Sequence, residues 1–166
     1  MKRAFILLAA LLAAGSLFAA GTGGGGGGGM SGGSSGGGRS SAPTALDYYN
    51  KGYAEANSGQ YAQAIANFKE AIALKPDYAE AYNMLGFSTR KSGDVKGAYA
   101  YYDKALKLKP NFPEAREYYG EAYLQDNNLP KAIQQYIVLE KMHSKNADEL
   151  LEKISDYVDK QVVAER

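Results

Sequence analysis

The sequence predicts an all-α fold in which three similar helix pairs stack as an α-solenoid and a seventh helix covers the C-terminal end. Three observations support this prediction. The chain matches itself at a spacing of 34 residues, each repeat is divided by turn signals into two helical stretches, and the C-terminal segment carries apolar residues at helical spacing.

The internal repeat is defined by small residues, aromatic residues and a proline at fixed positions. A small residue lets two helices approach closely, an aromatic side chain fills the space beside it, and a proline ends the second helix. The second-helix positions are Ala64, Phe68, Ala71 and Pro76, then Ala98, Tyr102, Ala105 and Pro110, then Ala132, Tyr136, Leu139 and Ser144. The first-helix positions are Tyr48, Gly52 and Gly59, then Tyr82, Gly86 and Gly93, then Arg116, Gly120 and Asn127.

Six helices follow from these repeats and from the turn signals between them. Glycine-containing or Asp/Asn-rich turns separate the two helices of a pair, and Lys-Pro turns separate the pairs. The predicted helices are Ala45–Asn57, Tyr61–Leu74, Tyr78–Lys91, Val95–Leu108, Pro113–Gln125 and Pro130–Met142.

The middle repeat, residues 79–112, reads AEAYNMLGFSTRKSGDVKGAYAYYDKALKLKPNF. This stretch resembles the tetratricopeptide repeat (TPR) family, whose period is also 34 residues. The resemblance implies a right-handed superhelix whose first helices line a concave groove. It places three repeats in residues 43–144, with units of about 45–78, 79–112 and 113–146.

The C-terminal segment, residues 145–166, is predicted to be a capping helix. Its apolar stripe comprises Leu150, Leu151, Ile154, Tyr157, Val158 and Val162. A terminal repeat exposes a face that must be covered, and an added helix can cover it. Docking of an external partner helix on this stripe is the alternative.

The N-terminal segment is predicted to be a signal peptide, residues 1–21, followed by a disordered Gly/Ser-rich linker of low complexity, residues 22–42. Lys2 and Arg3 precede an apolar run that ends in small residues, and the run is shorter than a membrane-spanning helix requires. We therefore expect a small exported protein of bacterial type, located in the periplasm or secreted, with no membrane association after cleavage. Retention of the signal as a membrane anchor is the alternative.

Composition argues against several functions. Without Lys2 and Arg3 the chain has 17 basic and 18 acidic residues, and it contains no cysteine. A nucleic-acid partner is therefore not expected, because binding to phosphates requires clustered positive charge. His143 is the single histidine, and no catalytic pair is evident, so we expect no enzyme activity, no metal and no cofactor.

The resemblance also implies which residues line the groove. Carried over repeat by repeat, they are Tyr49, Tyr53, Asn57, Asn83, Met84, Phe87, Arg90, Glu117, Tyr118 and Glu121. Packing between repeats is the competing interpretation of the aromatic members. The family's core positions assign Tyr48, Tyr61, Tyr82, Tyr102 and Tyr136 to packing.

These features together predict a non-catalytic adaptor or scaffold that binds a protein or peptide in its concave groove. Co-chaperones of the family hold a C-terminal carboxylate with Lys, Arg and Asn, whereas this chain has Tyr49, Tyr53, Met84, Glu114 and Tyr118 at those positions. A chaperone tail of that type is therefore disfavoured. The alternative function is structural: a homo-oligomer formed through the open N-terminal face or the capping stripe, or a membrane-tethered assembly factor.

Overall fold

The computed structural model describes residues 42–164, which form seven α-helices and no β-strand. The predicted solenoid of three helix pairs plus a C-terminal helix is confirmed. The signal peptide and the linker were predicted for segments that lie outside the described residues, and both remain predictions. The helices are α1 (Ala45–Asn57), α2 (Tyr61–Leu74), α3 (Ala79–Lys91), α4 (Val95–Leu108), α5 (Pro113–Gln125), α6 (Leu129–Lys141) and α7 (Asn146–Ala164).

The helix bounds follow the turn chemistry of the repeats. Gly59 and Gly93 adopt φ of +75° and +105°, and Asn127 takes the same place in the third repeat with φ of +57°. A left-handed residue here ends the first helix, and asparagine tolerates this conformation better than other residues with a side chain. α3 begins one residue later than predicted, since Tyr78 has the non-helical backbone of an N-cap.

The core is built from the contact between a first-helix glycine and a second-helix aromatic ring. A Cβ atom on Gly86 would lie 2.8 Å from Cε1 of Tyr102, and one on Gly52 would lie 3.0 Å from Cε1 of Phe68. Both rings are completely buried. In the third repeat, a Cβ atom on Gly120 would lie 2.5 Å from Cδ2 of Leu150 in α7.

The first helices of the pairs contact one another in the order α1, α3, α5 and α7. α7 thereby occupies the place that the first helix of a fourth repeat would take. Leu150 and Ile154 are buried against the third pair, whereas Leu151, Val158 and Val162 are 39–48% exposed. The predicted stripe is thus divided into a buried row and an exposed row.

The two ends of the stack differ in polarity. Where α3 packs against the first pair it presents Ala81, Leu85, Ser88 and Thr89, all of which are buried. The equivalent positions of α1 are Asp47, Lys51, Ala54 and Glu55, the first three of them exposed. Towards the opposite end, Ile133 and Ile137 of α6 are exposed, as is the outer row of α7. The N-terminal end is therefore polar and the C-terminal end is apolar.

Candidate functional site

A cleft of about 220 Å³ opens on the row of first helices, between α1, α3 and the start of α5. We call it the aromatic cleft. It is lined by Tyr49, Tyr53, Glu80, Asn83, Met84, Phe112, Glu114 and Tyr118. Because these side chains come from three successive repeats, their spacing depends on the stacking of the whole array.

Tyr49 is the centre of the aromatic wall. Its ring centroid lies 5.0 Å from that of Tyr78, 5.8 Å from that of Phe68 and 6.1 Å from that of Tyr53. Burial raises the pKa of Tyr49 to about 12, and the neighbouring tyrosines and Glu80 add to this effect. Its hydroxyl group therefore stays protonated at physiological pH. Tyr53 is 46% exposed and presents its ring to solvent.

Phe87 lies between repeats and does not line the aromatic cleft. Its ring centroid is 5.1 Å from that of Tyr118 and 6.3 Å from that of Tyr61, and it packs against the core of the first two repeats. The charged groups of Arg90 and Lys91 lie 5.7 Å and 5.6 Å from its ring centroid. This half-buried side chain therefore has a packing role, as the competing interpretation proposed for some of the aromatics.

A second cleft, of about 340 Å³, lies where α3 and α5 end beside α7. We call it the C-terminal cleft. Arg90 and Glu121 form part of its wall, and Nη2 of Arg90 lies 2.7 Å from Oε2 of Glu121. Two predicted groove residues are thus committed to a largely buried ion pair between repeats. The opposite wall consists of Lys153, Asp156, Tyr157 and Lys160 of α7.

Glu117 is covered by α7, so the structure does not place it on an open groove surface. Its side chain is 7% exposed, and its Oε2 accepts a hydrogen bond of 2.5 Å from Nδ2 of Asn146. The pKa of Glu117 is raised to about 7, mainly by burial and also by the charges of Glu149 and Glu121, although the hydrogen bond from Asn146 acts in the opposite direction. The repeat pattern assigned Glu117 to the groove because that pattern contains no counterpart of this capping helix.

The ten predicted residues are therefore distributed over several environments. The aromatic cleft contains Tyr49, Tyr53, Asn83, Met84 and Tyr118, and the C-terminal cleft contains Arg90 and Glu121. Asn57 is exposed at the end of α1, away from the lining of both clefts.

Three lining residues of the aromatic cleft are absent from the ten groove residues predicted from the sequence, namely Glu80, Phe112 and Glu114, although Glu114 was placed at a position where co-chaperones hold a carboxylate. Glu80 and Glu114 occupy the second position of α3 and of α5, 34 residues apart. Their shared repeat position was a signal that the pattern already contained.

Two family models match adjacent parts of the chain. Residues 52–89 match the model described as TPR repeat, and residues 90–154 match the one described as Tetratricopeptide repeat. The chain belongs to the tetratricopeptide repeat family. The resemblance carried by residues 79–112 is thereby confirmed at the level of the family. No curated protein matches the chain significantly.

Solved TPR structures share this fold. The first TPR domain of Spaghetti (RPAP3), bound to the HSP90 peptide SRMEEVD, is 22% identical with a TM-score of 0.62, covering 70% of this chain and 94% of its own. MamA is 31% identical with a TM-score of 0.53, covering 69% of this chain and 62% of its own. The Yersinia enterocolitica secretion chaperone SycD, in complex with a peptide of the translocator YopD, is 17% identical with a TM-score of 0.60, covering 73% and 94%.

Residues 42–164 contain no group of three or more His, Cys, Asp or Glu side chains arranged to hold a metal ion. Within the same range, no helix combines the length and the apolar character needed to cross a bilayer.

Proposed function

We propose that this chain is a non-catalytic adaptor that binds a peptide or protein segment in the aromatic cleft. The observation that carries the proposal is the exposed ring of Tyr53 beside the stacked ring of Tyr49, on a rigid row of helices. Aromatic side chains offer a large contact area at a low cost in conformational entropy. A cleft that the fold has already formed also avoids the cost of ordering a loop on binding.

The related structures support a peptide ligand. The Spaghetti domain was solved with an HSP90 peptide and SycD with a YopD peptide. TPR domains are interaction modules, and the row of first helices is the surface that this chain also leaves open. The similarity extends to the fold, whereas the side chains that would select a ligand are this chain's own.

Those side chains differ from the ones that grip an acidic tail. The positions that hold Lys and Arg in the third repeat of such co-chaperones carry Glu114 and Tyr118 here, and both line the aromatic cleft. A peptide carboxylate would meet a carboxylate in place of a cation. We therefore expect the ligand of this chain to belong to another chemical class.

Site-specific crosslinking tests the proposal. Tyr53 is replaced by the photoreactive residue benzoylphenylalanine in the full chain, and crosslinked segments are identified by mass spectrometry. Leu74 is the matched control, because it is a 55% exposed apolar residue on α2, outside the cleft lining. A discrete segment crosslinked from position 53 and not from position 74 is the expected result. Equal crosslinking from both positions, or none from position 53, would contradict a ligand site in the cleft.

We also propose that the N-terminal segment directs export, to the periplasm or outside the cell. The basic pair Lys2 and Arg3 followed by the apolar run supports this proposal. Intact mass of the protein recovered from the exported fraction of a bacterial host tests it. The expected mass is that of a chain cleaved near Gly21. A full-length chain in the membrane fraction would instead support the retained anchor, and full-length protein in the cytosol would contradict export.

Self-association is the second candidate function, and the exposed apolar residues at the C-terminal end favour it. Ile133, Ile137 and Val158 are each 38–44% exposed. The polar outer face of α1 disfavours the N-terminal route that the sequence analysis considered. Size-exclusion chromatography with light scattering at increasing protein concentration distinguishes self-association from the adaptor function. A molar mass that stays at the monomer value would exclude self-association and leave the adaptor function. A dimer lost in a Val158→Lys variant would support the structural role.

A further inference from the structure

We propose that the aromatic cleft selects a basic side chain, lysine or arginine, of the bound segment. This inference rests on the proposed function and specifies the chemistry of its ligand. The cleft combines carboxylates, open aromatic faces and an amide whose hydrogen-bonding capacity is incompletely used. None of its lining residues is basic.

The lining of the aromatic cleft contains two carboxylates. Glu80 and Glu114 project from the first turns of α3 and α5 into the same cleft. Oε1 of Glu80 accepts a hydrogen bond of 2.9 Å from Nζ of Lys109, and this bond is the main reason why the pKa of Glu80 lies below its ordinary value. Among the ion pairs of residues 42–164, none involves Glu114, which is exposed. Its carboxylate is therefore available to a cation from outside.

The aromatic rings of the cleft provide a second means of holding a cation. A cation is attracted to the face of an aromatic ring when it lies within about 6 Å of the ring centroid. The chain already uses this interaction at the edge of the cleft. Nζ of Lys109 lies 4.3 Å from the centroid of Phe112, and Nζ of Lys75 lies 4.5 Å from that of Tyr78. Tyr53 and Tyr118 offer further rings in the lining of the same cleft as Glu114.

Asn83 is a third group of the cleft that can bind a cation. Its side chain lines the cleft, is 4% exposed, and has an Oδ1 atom that is buried without a hydrogen-bonding partner. The oxygen and nitrogen of a side-chain amide are assigned from their hydrogen bonds, and an Oδ1 atom without a partner leaves the Asn83 amide free to make a half-turn when a donor enters the cleft. Ammonium and guanidinium groups carry several N–H donors and no acceptor, so either can donate to Asn83 and to Glu114.

Other ligand side chains fit these groups less well. An acidic side chain would be repelled by Glu114. A purely apolar one would contact Met84 and Phe112, but it would remove water from the carboxylate and the amide without replacing the lost hydrogen bonds. A basic side chain lays its apolar stem on Met84 and Phe112 while its charged head meets Glu114.

Selection from a peptide library tests the inference. Random 12-residue peptides displayed on phage are selected on the immobilised full chain, and each enriched peptide is retested on a Tyr53→Ala variant. Peptides that depend on Tyr53 define cleft binders. We expect these to contain a conserved Lys or Arg, and replacing that residue by Gln should weaken binding by about tenfold or more.

Charge variants then locate the cation. Glu114→Gln should weaken the enriched peptide by about fivefold to tenfold and reduce the dependence of its affinity on salt. Glu70→Gln is the matched control, since it removes the same charge from an exposed position on α2 and should leave affinity unchanged. Circular dichroism establishes that both variants are folded.

The possible failures are distinguishable. Tyr53-dependent peptides without a basic residue, or with affinities that do not change in Glu114→Gln, would overturn the inference and leave the adaptor proposal standing. If no enriched peptide depends on Tyr53, both the adaptor proposal and the inference fail.

Discussion

Gly86 is the position where the structure makes the sharpest demand on stability. A Cβ atom there would lie 2.8 Å from Cε1 and 3.0 Å from Cδ1 of Tyr102, whose ring is completely buried. Overpacking of this kind costs about 1–3 kcal/mol. Alanine recovers about 1 kcal/mol because it is the better helix former. We therefore expect Gly86→Ala to lower the free energy of unfolding by about 1 kcal/mol.

Thermal and urea unfolding followed by circular dichroism at a helical wavelength measures this loss. For a folded region of this size, it corresponds to a fall in melting temperature of about 3–6 °C. Ala66→Gly measures the difference in helix propensity between alanine and glycine in the same protein, because Ala66 is exposed within α2. Adding Tyr102→Leu to Gly86→Ala should recover part of the loss, since a smaller side chain relieves the contact.

If Gly86→Ala raised the melting temperature by as much as Ala66→Gly lowers it, the close contact with Tyr102 would cost nothing. The assignment of the small residue to helix approach would then be wrong.

Three further predictions concern a buried acid, a cap and a ligand. The pKa of Glu117 is about 7 in the folded state against an ordinary 4.5, so the folded state binds more protons between pH 4.5 and 7 and stability falls as the pH rises through this range. Glu117→Gln should flatten this part of the profile of melting temperature against pH and raise the melting temperature at pH 8. An unchanged profile would contradict the raised pKa. Thr44→Ala should lower the melting temperature, because it breaks the capping box in which the Thr44 hydroxyl oxygen accepts a hydrogen bond of 3.2 Å from the backbone N–H of Asp47. A temperature equal to that of wild type would show that the cap contributes nothing. The peptide SRMEEVD should not bind in a fluorescence polarisation assay, because Glu114 and Tyr118 occupy the cation positions, and saturable binding would disprove this explanation.

Much of the fold could be predicted from the sequence because local chemistry determines where each helix begins and ends. Gly59 and Gly93 require a left-handed backbone, and the self-match that placed Asn127 beside them identified the same turn in the third repeat. The helix bounds agree with the prediction to within one residue for this reason.

The orientation of α7 could not be predicted in the same way. Leu150 and Leu151 are adjacent in the chain, and helical spacing alone assigned both to one stripe. Which of them is buried depends on the neighbouring surface, where Gly120 leaves room for Leu150. This is a tertiary contact that has no counterpart in the repeat.

The candidate site shows the same limit. Repeat positions predicted that Tyr49, Tyr53 and Tyr118 lie on the row of first helices, and the structure places them together. The repeat positions could not predict that Asn146 would cover Glu117, because α7 departs from the repeat. The burial of Arg90 has a similar cause, since its ion pair joins two helices that are distant in sequence.

The unequal polarity of the two ends limits how copies of this chain can be joined. An open filament grows when one end of a molecule fits the opposite end of the next, so that every addition exposes a fresh site. Here the apolar end, with Ile133 and Ile137, would meet the polar end, with Asp47 and Lys51. Head-to-tail growth is therefore disfavoured, and a pair joined through two apolar ends leaves only polar ends outward. The unequal polarity of the two ends therefore works against open-ended polymerisation.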